Sequence, residues 1–329
     1  MTSQDRTLDH YQELMTINAT GHVLRAGREL GILDELASGQ KTLSQLSETL
    51  NLAGGRLSWI LASLRAIGIV EVYQDDYALS STARLLCQYD QDLGNSVWQR
   101  LVDALREPIE PSSRDIAPDL LQSRFDAIAA TQWVHTPAAM QAAEILNTSD
   151  DQPDASEKQL LDFGCGSAVW SCAIAYRDDS IRLTAVDHEA ALASARSMAE
   201  SIQIGDRLQT IEIAEREPLW ESGAFDYALI AQRLHSLPPV EIDGVLGRLV
   251  NSVSVGGKVI VIDSFVGPHT PTLAESLEPL RLAVESPTAQ VPTIEEAETR
   301  MRSAGLDHIQ FTYIAASRIG LGMMIGAKT

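Results

Sequence analysis

Leu160-Leu161-Asp162-Phe163-Gly164-Cys165-Gly166-Ser167-Ala168 is the stretch that decides the fold. A short apolar strand, 160–163, runs into a Gly-x-Gly turn, and helical patterning follows from about 168 to 176. Strand, glycine-rich turn and helix in that order open a nucleotide-type βαβ unit. Glycine is needed in such a turn because a Cβ would hold a ligand away from the main chain. The helix start offers free N–H groups and partial positive charge to an anionic group.

Downstream, residues 181–186 form a second apolar strand that ends at Asp187, 21 residues after Gly166. An acid about 20 residues past the turn suits a ribose, whose hydroxyls donate to a carboxylate. A dinucleotide fingerprint would need a further glycine at position 169, where Val169 stands, so nicotinamide binding is disfavoured. Further strands are expected at 208–213, 225–231 and 258–263, and a closing hairpin at 309–315 and 320–326. Short β-rich runs alternating with helical runs mark a parallel α/β sheet.

Upstream, residues 147–159 (NTSDDQPDASEKQ) are almost free of apolar side chains and read as a solvated linker. Three regions follow: 1–95, a helical connector at 96–150 that would roof the last region, and 151–329. The first region starts helically over 7–35. Thr42 then precedes LSQLSETL, with Gln45 completing a capping-box pattern. A helix at 55–67 places Leu57, Ile60, Leu61 and Leu64 on one face. Residues 69–73, the turn Asp75-Asp76 and residues 77–79 make a hairpin. Helix, turn, helix and hairpin together are the pattern of a winged helix.

The chain has 329 residues, with 45 acidic and 25 basic side chains and a formal net charge of −20. Nucleic-acid affinity rests on cations neutralising phosphates. The 55–67 helix offers only Arg56 and Arg65. A structural or dimerising role therefore outweighs DNA reading for the winged-helix pattern, and an anionic membrane surface is disfavoured too. Cys87, Cys165 and Cys172 form no CxxC pair, which argues against a zinc site or disulfide framework. The opening MTSQDRTLDHYQELM lacks the apolar core of a signal peptide, and no run of about 18 apolar residues suggests a membrane span. A cytoplasmic protein is expected.

Asp162-x-Gly164-x-Gly166 followed by Val186-Asp187 resembles the class I S-adenosylmethionine (SAM)-dependent methyltransferases. The N-terminal region sharpens the likeness through Ala26, Leu30-Gly31-Ile32-Leu33-Asp34, Leu36, Leu43-x-x-Leu46, Leu61-x-x-Leu64 and Tyr77-x-Leu79-Ser80. These are similar to the dimerisation domain of plant caffeate-type and bacterial polyketide-tailoring O-methyltransferases. The resemblance covers nearly the whole chain. It implies an α/β fold with a Rossmann-like seven-stranded sheet, the last strand antiparallel, and a mainly α winged-helix dimerisation domain. It also implies a homodimer, SAM as cofactor with S-adenosylhomocysteine (SAH) as product, and a small-molecule acceptor. Asp162, Gly164, Cys165, Gly166, Asp187 and His188 become candidate cofactor contacts. Glu215 becomes the candidate acid facing the adenine amino group. One departure is visible: the family's third glycine is replaced by Ser167-Ala168.

His235 lies just past the 225–231 strand, where open α/β sheets bind ligands. An imidazole suits removal of a proton from a phenol or enol at neutral pH. Asp263 ends the next strand, 28 residues on, and is a candidate to hold that ring in one tautomer. The resemblance implies the same roles, a histidine base past the fourth strand and an acid ending the fifth. Ser236-Leu237 depart from the Asp-Trp that often follows the family's histidine. The remaining histidines show no metal-ligand spacing, and no metal is expected. Three functions therefore stand: O-methylation of a small aromatic or polyketide-like hydroxyl compound; SAM binding with different or no methyl transfer; and, disfavoured by charge, a DNA-binding regulator.

Overall fold

The computed structural model describes residues 3–89, 95–106, 134–146, 157–213, 220–285 and 289–329. The chain divides into two compact units, Met1–Ser96 and Val97–Thr329.

In the first unit Thr42 starts its helix by closing the first turn on itself. Its hydroxyl accepts from the Gln45 N–H (3.2 Å), and the Gln45 side-chain oxygen accepts from the Thr42 N–H (2.8 Å). This is the capping box expected from the sequence. The helices are Ser3–Glu29, Ile32–Ala37, Leu43–Thr49, Gly54–Ala66 and Ser81–Tyr89. Strands β1 (Lys41–Thr42), β2 (Val70–Tyr73) and β3 (Asp76–Leu79) form an antiparallel sheet of order β1-β3-β2. The helical run expected over 7–35 breaks at Gly31, whose φ of 76° no β-carbon favours. The break turns Ile32, Leu33 and Leu36 into a core with Leu46, Leu57, Leu61 and Leu64.

The second unit holds β4 (Lys158–Phe163), β5 (Ile181–Asp187), β6 (Leu208–Glu212), β7 (Phe225–Ala231), β8 (Val253–Ser264), β9 (Leu306–Tyr313) and β10 (Leu321–Lys328). They form one sheet in the order β6-β5-β4-β7-β8-β10-β9. β4 to β8 run parallel, and β10 is antiparallel to both β8 and β9. The expected seven-stranded sheet with its antiparallel last strand is thus present. Both faces are covered. Ile260 and Ile262 join a core with the helix Val169–Arg177 and the helical residues 134–146. Val259 and Val261 point the other way, into a core with the helices Pro239–Ser252 and Ile294–Ser303. Burial on both faces explains why these strands read as near-continuous apolar runs.

Three strands, β4, β8 and β9, begin earlier than the sequence suggests, β9 at Leu306 rather than 309. Lys158 and Gln159 extend β4 into the polar stretch, where the Gln159 N–H donates to Asp226 Oδ2 (2.8 Å). β8 starts at Val253, ahead of Gly256 and Gly257. A Cβ on Gly257 would stand 2.9 Å from Ser254 O and 3.0 Å from Asp226 O, so the glycine admits close strand passage rather than ending the strand.

The strand order reverses between β4 and β7, because the chain winds outward from β4 through β5 and β6, then returns to β7. A crevice opens at the C-terminal ends of strands at such a switch point. Phe163-Gly164 and Ala231-Gln232 lie at its two sides.

Candidate functional site

The turn after β4 is held from β5. Gly164 N–H donates to Val186 O (2.8 Å), and Gly166 N–H donates to Asp187 Oδ2 (2.9 Å). Asp187 Oδ1 accepts from the His188 N–H (2.8 Å). Each carboxylate oxygen so engaged keeps lone-pair capacity for a further donor. Gly164, Gly166 and Ala168 all have positive φ (69°, 55° and 56°). Ala168 thus takes a left-handed conformation that costs an L-residue about 1–2 kcal/mol. That cost is the physical content of the missing third glycine.

Asp162 is 1% exposed at the end of β4. Its Oδ2 accepts from Ser171 Oγ (2.5 Å), and its Oδ1 is buried with no hydrogen-bond partner among the described residues. Burial pushes its carboxyl up to about 7; the Ser171 hydrogen bond opposes this and the Asp187 charge adds to it. Cys165 is buried, and burial drives its thiol well above the ordinary range, with the nearby carboxylates adding. Its side chain is therefore no thiolate nucleophile. His188 is exposed and stands at the N-cap of the helix Glu189–Ser201. Glu215 lies outside the described residues.

His235 and Asp263 meet. His235 Nδ1 lies 2.5 Å from Asp263 Oδ1, and the His235 main-chain N–H donates to Asp263 Oδ2 (3.2 Å). Asp263 Oδ1 also accepts from the Ser264 N–H (2.8 Å). The Gln290 N–H donates to His235 O (3.0 Å), which ties the histidine to a distant segment. Both residues are buried, at 8% and 2% exposure. With Nδ1 facing a carboxylate, the neutral ring carries its proton there and its lone pair on Nε2. A cavity of about 680 Å³ reaches Asp263 from between the helices Pro239–Ser252 and Ile294–Ser303, lined also by Leu234, Val261, Phe265 and Met301. No residue of the glycine turn lines it.

Several site residues escaped the sequence reading. Gln232 takes φ 51° at the end of β7, and its side-chain oxygen accepts from Trp170 Nε1 (3.3 Å). Trp170 in turn carries the His135 ring at 6.0 Å between centroids. Burial lowers the His135 pKa, with Glu278 opposing and Arg281 adding to the effect. Arg233 lays its stem over Gly164: its Cγ lies 3.2 Å from where a Cβ on that glycine would stand. The bare face of Gly164, expected to receive a ligand, is therefore covered by an arginine stem in this structure. Only position past β7 could have flagged Gln232 and Arg233. Ser171 and Trp170 read simply as helix residues.

Asp162 and Asp187 fit a ligand with an amino-acid end and a ribose. The orphan Oδ1 is a ready acceptor for an ammonium, and the Asp187 carboxylate for sugar hydroxyls. Among the described residues no cluster of His, Cys, Asp or Glu has metal-binding geometry, and no helix is long and apolar enough to cross a membrane.

No family model matches the sequence. Solved structures do. An O-methyltransferase family protein from Burkholderia thailandensis superposes with a TM-score of 0.73 at 17% identity, covering 100% of this chain and 99% of that one. Human N-acetylserotonin methyltransferase, in complex with SAM, gives 0.71 at 17% identity, covering 100% and 98%. The N,N-8-amino-8-demethyl-D-riboflavin dimethyltransferase from Streptomyces davawensis gives 0.70 at 18%, covering 100% of both chains. From end to end, the chain has the fold of the class I SAM-dependent methyltransferases.

Proposed function

We propose that this chain is a SAM-dependent O-methyltransferase acting on a hydroxyl of a small aromatic or polyketide-like acceptor. The observation that carries the proposal is the buried His235–Asp263 pair at the same sheet edge as the Asp187-held glycine turn. SAM, when bound, supplies a methyl group already activated on a sulfonium. What remains is alignment and removal of the acceptor proton. His235 Nε2 takes that proton as the oxygen attacks. Asp263 fixes the tautomer and stabilises the imidazolium that forms. Asp187 holds the ribose hydroxyls, Asp162 the ammonium, and the main chain of Cys165 and Gly166 lines the approach, with Gly164 beneath the Arg233 stem. His188 borders the ribose side, and Glu215 is assigned to the adenine amino group.

Transfer of label from methyl-labelled SAM to a panel of phenols and polyketide-like enols tests this. Labelled product is expected with at least one acceptor class. Uptake of SAH with no transfer to any hydroxyl, or transfer only to amines, would contradict it in favour of a cofactor-binding protein with other chemistry.

The first unit is assigned as a winged-helix dimerisation domain and 151–329 as the cofactor domain; much of the connector expected at 96–150 lies outside the described residues. Leu8, Tyr11, Leu14, Met15 and Ile17 on the helix Ser3–Glu29 are 52–62% exposed, a cluster of apolar side chains that a second copy would cover. A homodimer is therefore expected by light scattering, and Leu8→Glu with Met15→Glu should halve the measured mass. A monomeric wild-type chain would contradict the assignment. Acidic surface charge disfavours nucleic acid and membranes as partners, and the free thiols Cys87, Cys165 and Cys172 suit the reducing cytoplasm.

A further inference from the structure

One cavity is unused by the proposed transfer: the space of about 680 Å³ between the helices Pro239–Ser252 and Ile294–Ser303. Protein interiors are close-packed and hold few voids larger than a water. This one has the size and character of a small-molecule site, with mostly apolar walls and a few polar groups. Leu246, Val261, Phe265 and Met301 are buried in its wall. It is not the place of the acceptor. His235 does not line it, and His235 Nδ1 faces Asp263, which does. Nε2, on the other edge of the ring, therefore points away from the cavity, which lies behind the His235–Asp263 pair.

Two groups hold His235 from outside its own turn, and both belong to this wall. Asp263 accepts from the ring and from the main-chain N–H, and the Gln290 N–H donates to the His235 carbonyl. Asp263 also offers an anchor. Its Oδ1 accepts from His235 Nδ1 and the Ser264 N–H, its Oδ2 from the His235 N–H alone. A carboxylate has about four lone-pair sites, so Oδ2 can take one further donor. The exposed part of the lining carries Glu295 and Glu296, and the cation there, Arg300, is paired with Asp243 (3.0 Å). Anions are repelled by such a rim. We propose that this cavity is an effector site for a neutral, apolar ring compound with one hydrogen-bond donor, which binds Asp263 from behind and slows proton removal by His235. A donor on Oδ2 draws charge from the carboxylate that stabilises the imidazolium, and competes with the His235 N–H. Occupancy of the cavity stands apart from the proposed transfer; the effect on rate rests on it.

Indole is the probe: a neutral bicycle with one N–H and no hydroxyl to methylate. Ala297, half-buried in the cavity wall, is the place to fill it, by Ala297→Phe or, with less bulk, Ala297→Leu. By calorimetry, indole is expected to bind the wild-type chain with a Kd below about 1 mM. Filling should weaken it about tenfold or more and leave SAH affinity unchanged, which also checks that the variant folds. 1-Methylindole, which lacks the donor, should bind about tenfold more weakly than indole. In the transfer assay indole should lower kcat about fivefold or more without raising the acceptor KM, and Ala297→Phe should abolish that effect. No indole uptake, or uptake unaltered by filling, would overturn the site. Equal affinity for the two indoles would overturn the Asp263 anchor, and a rise in acceptor KM with kcat unchanged would place indole in the acceptor's own site. Absence of methyl transfer altogether would overturn the rate effect together with the transferase reading, while indole binding would still decide the site.

Discussion

His235→Ala is expected to lower kcat for methyl transfer by about 10²- to 10⁴-fold while leaving the Kd for SAH unchanged. The asymmetry follows from geometry. His235 is positioned by Asp263 and Gln290 rather than by the glycine turn, so its ring serves the acceptor and not the cofactor. A base matters only while the acceptor still holds its proton. The deficit should therefore shrink for strongly acidic phenols, which arrive ionised, and stay large for weakly acidic ones. A merely structural histidine would lower both alike. Asp263→Asn should reproduce much of the loss, since an amide presented to Nδ1 no longer selects the tautomer with its lone pair on Nε2. A uniform rate across acceptors, or full activity in His235→Ala, would remove His235 from the reaction.

Asp162→Asn should stabilise the protein at pH 8 and impair it as a cofactor binder. Asp162 is buried, and burial raises its carboxyl to about 7, against a carboxylate's usual range near 4 in the unfolded chain. The folded state therefore binds more protons than the unfolded state between about pH 4 and pH 7, and stability falls as pH rises through that window. Above about pH 7 the folded chain carries the full cost of a buried, half-satisfied carboxylate. Asparagine has the same shape, can still accept from Ser171 Oγ, and carries no charge. A gain of about 2–4 kcal/mol at pH 8, vanishing near pH 4, is the expected scale for a shift of this size. Urea unfolding at the two pH values measures it. SAH affinity should fall at least tenfold, because the cofactor ammonium loses its anionic partner. Equal stability of variant and wild type at both pH values would mean that Asp162 is solvated or paired, and would remove the reason it is poised for an ammonium.

The parts legible in the sequence are those fixed by local periodicity and spacing. Apolar runs ending in Gly164, Asp187, Ala231 and Asp263 gave the strands and their useful ends, because a parallel sheet buried on both faces shows as continuous hydrophobicity. The Thr42–Gln45 box needed only four residues of context. What escaped was set by rotamer and by approach across the sheet. Nothing in the string 232–233 states that Gln232 enters the left-handed region, that Arg233 folds over a glycine 69 residues earlier in the chain, or that Trp170 reaches Gln232. The strands that began earlier than expected failed for a different reason: Lys158 and Gln159 carry loop-like composition yet pair with Ile181 and Arg182 of β5, and the Gly256-Gly257 pair falls in the register shift between Val253, paired with Phe225, and Lys258, paired with Tyr227 of β7.

Titration calorimetry of the wild-type chain with SAH, set beside Asp187→Ala, asks the most direct question of the site. Binding at one molecule per chain, lost or weakened at least tenfold in the variant, is the predicted result. Absence of any heat for the wild-type chain, or identical binding after Asp187 is removed, would contradict a cofactor held by the glycine turn and its carboxylate.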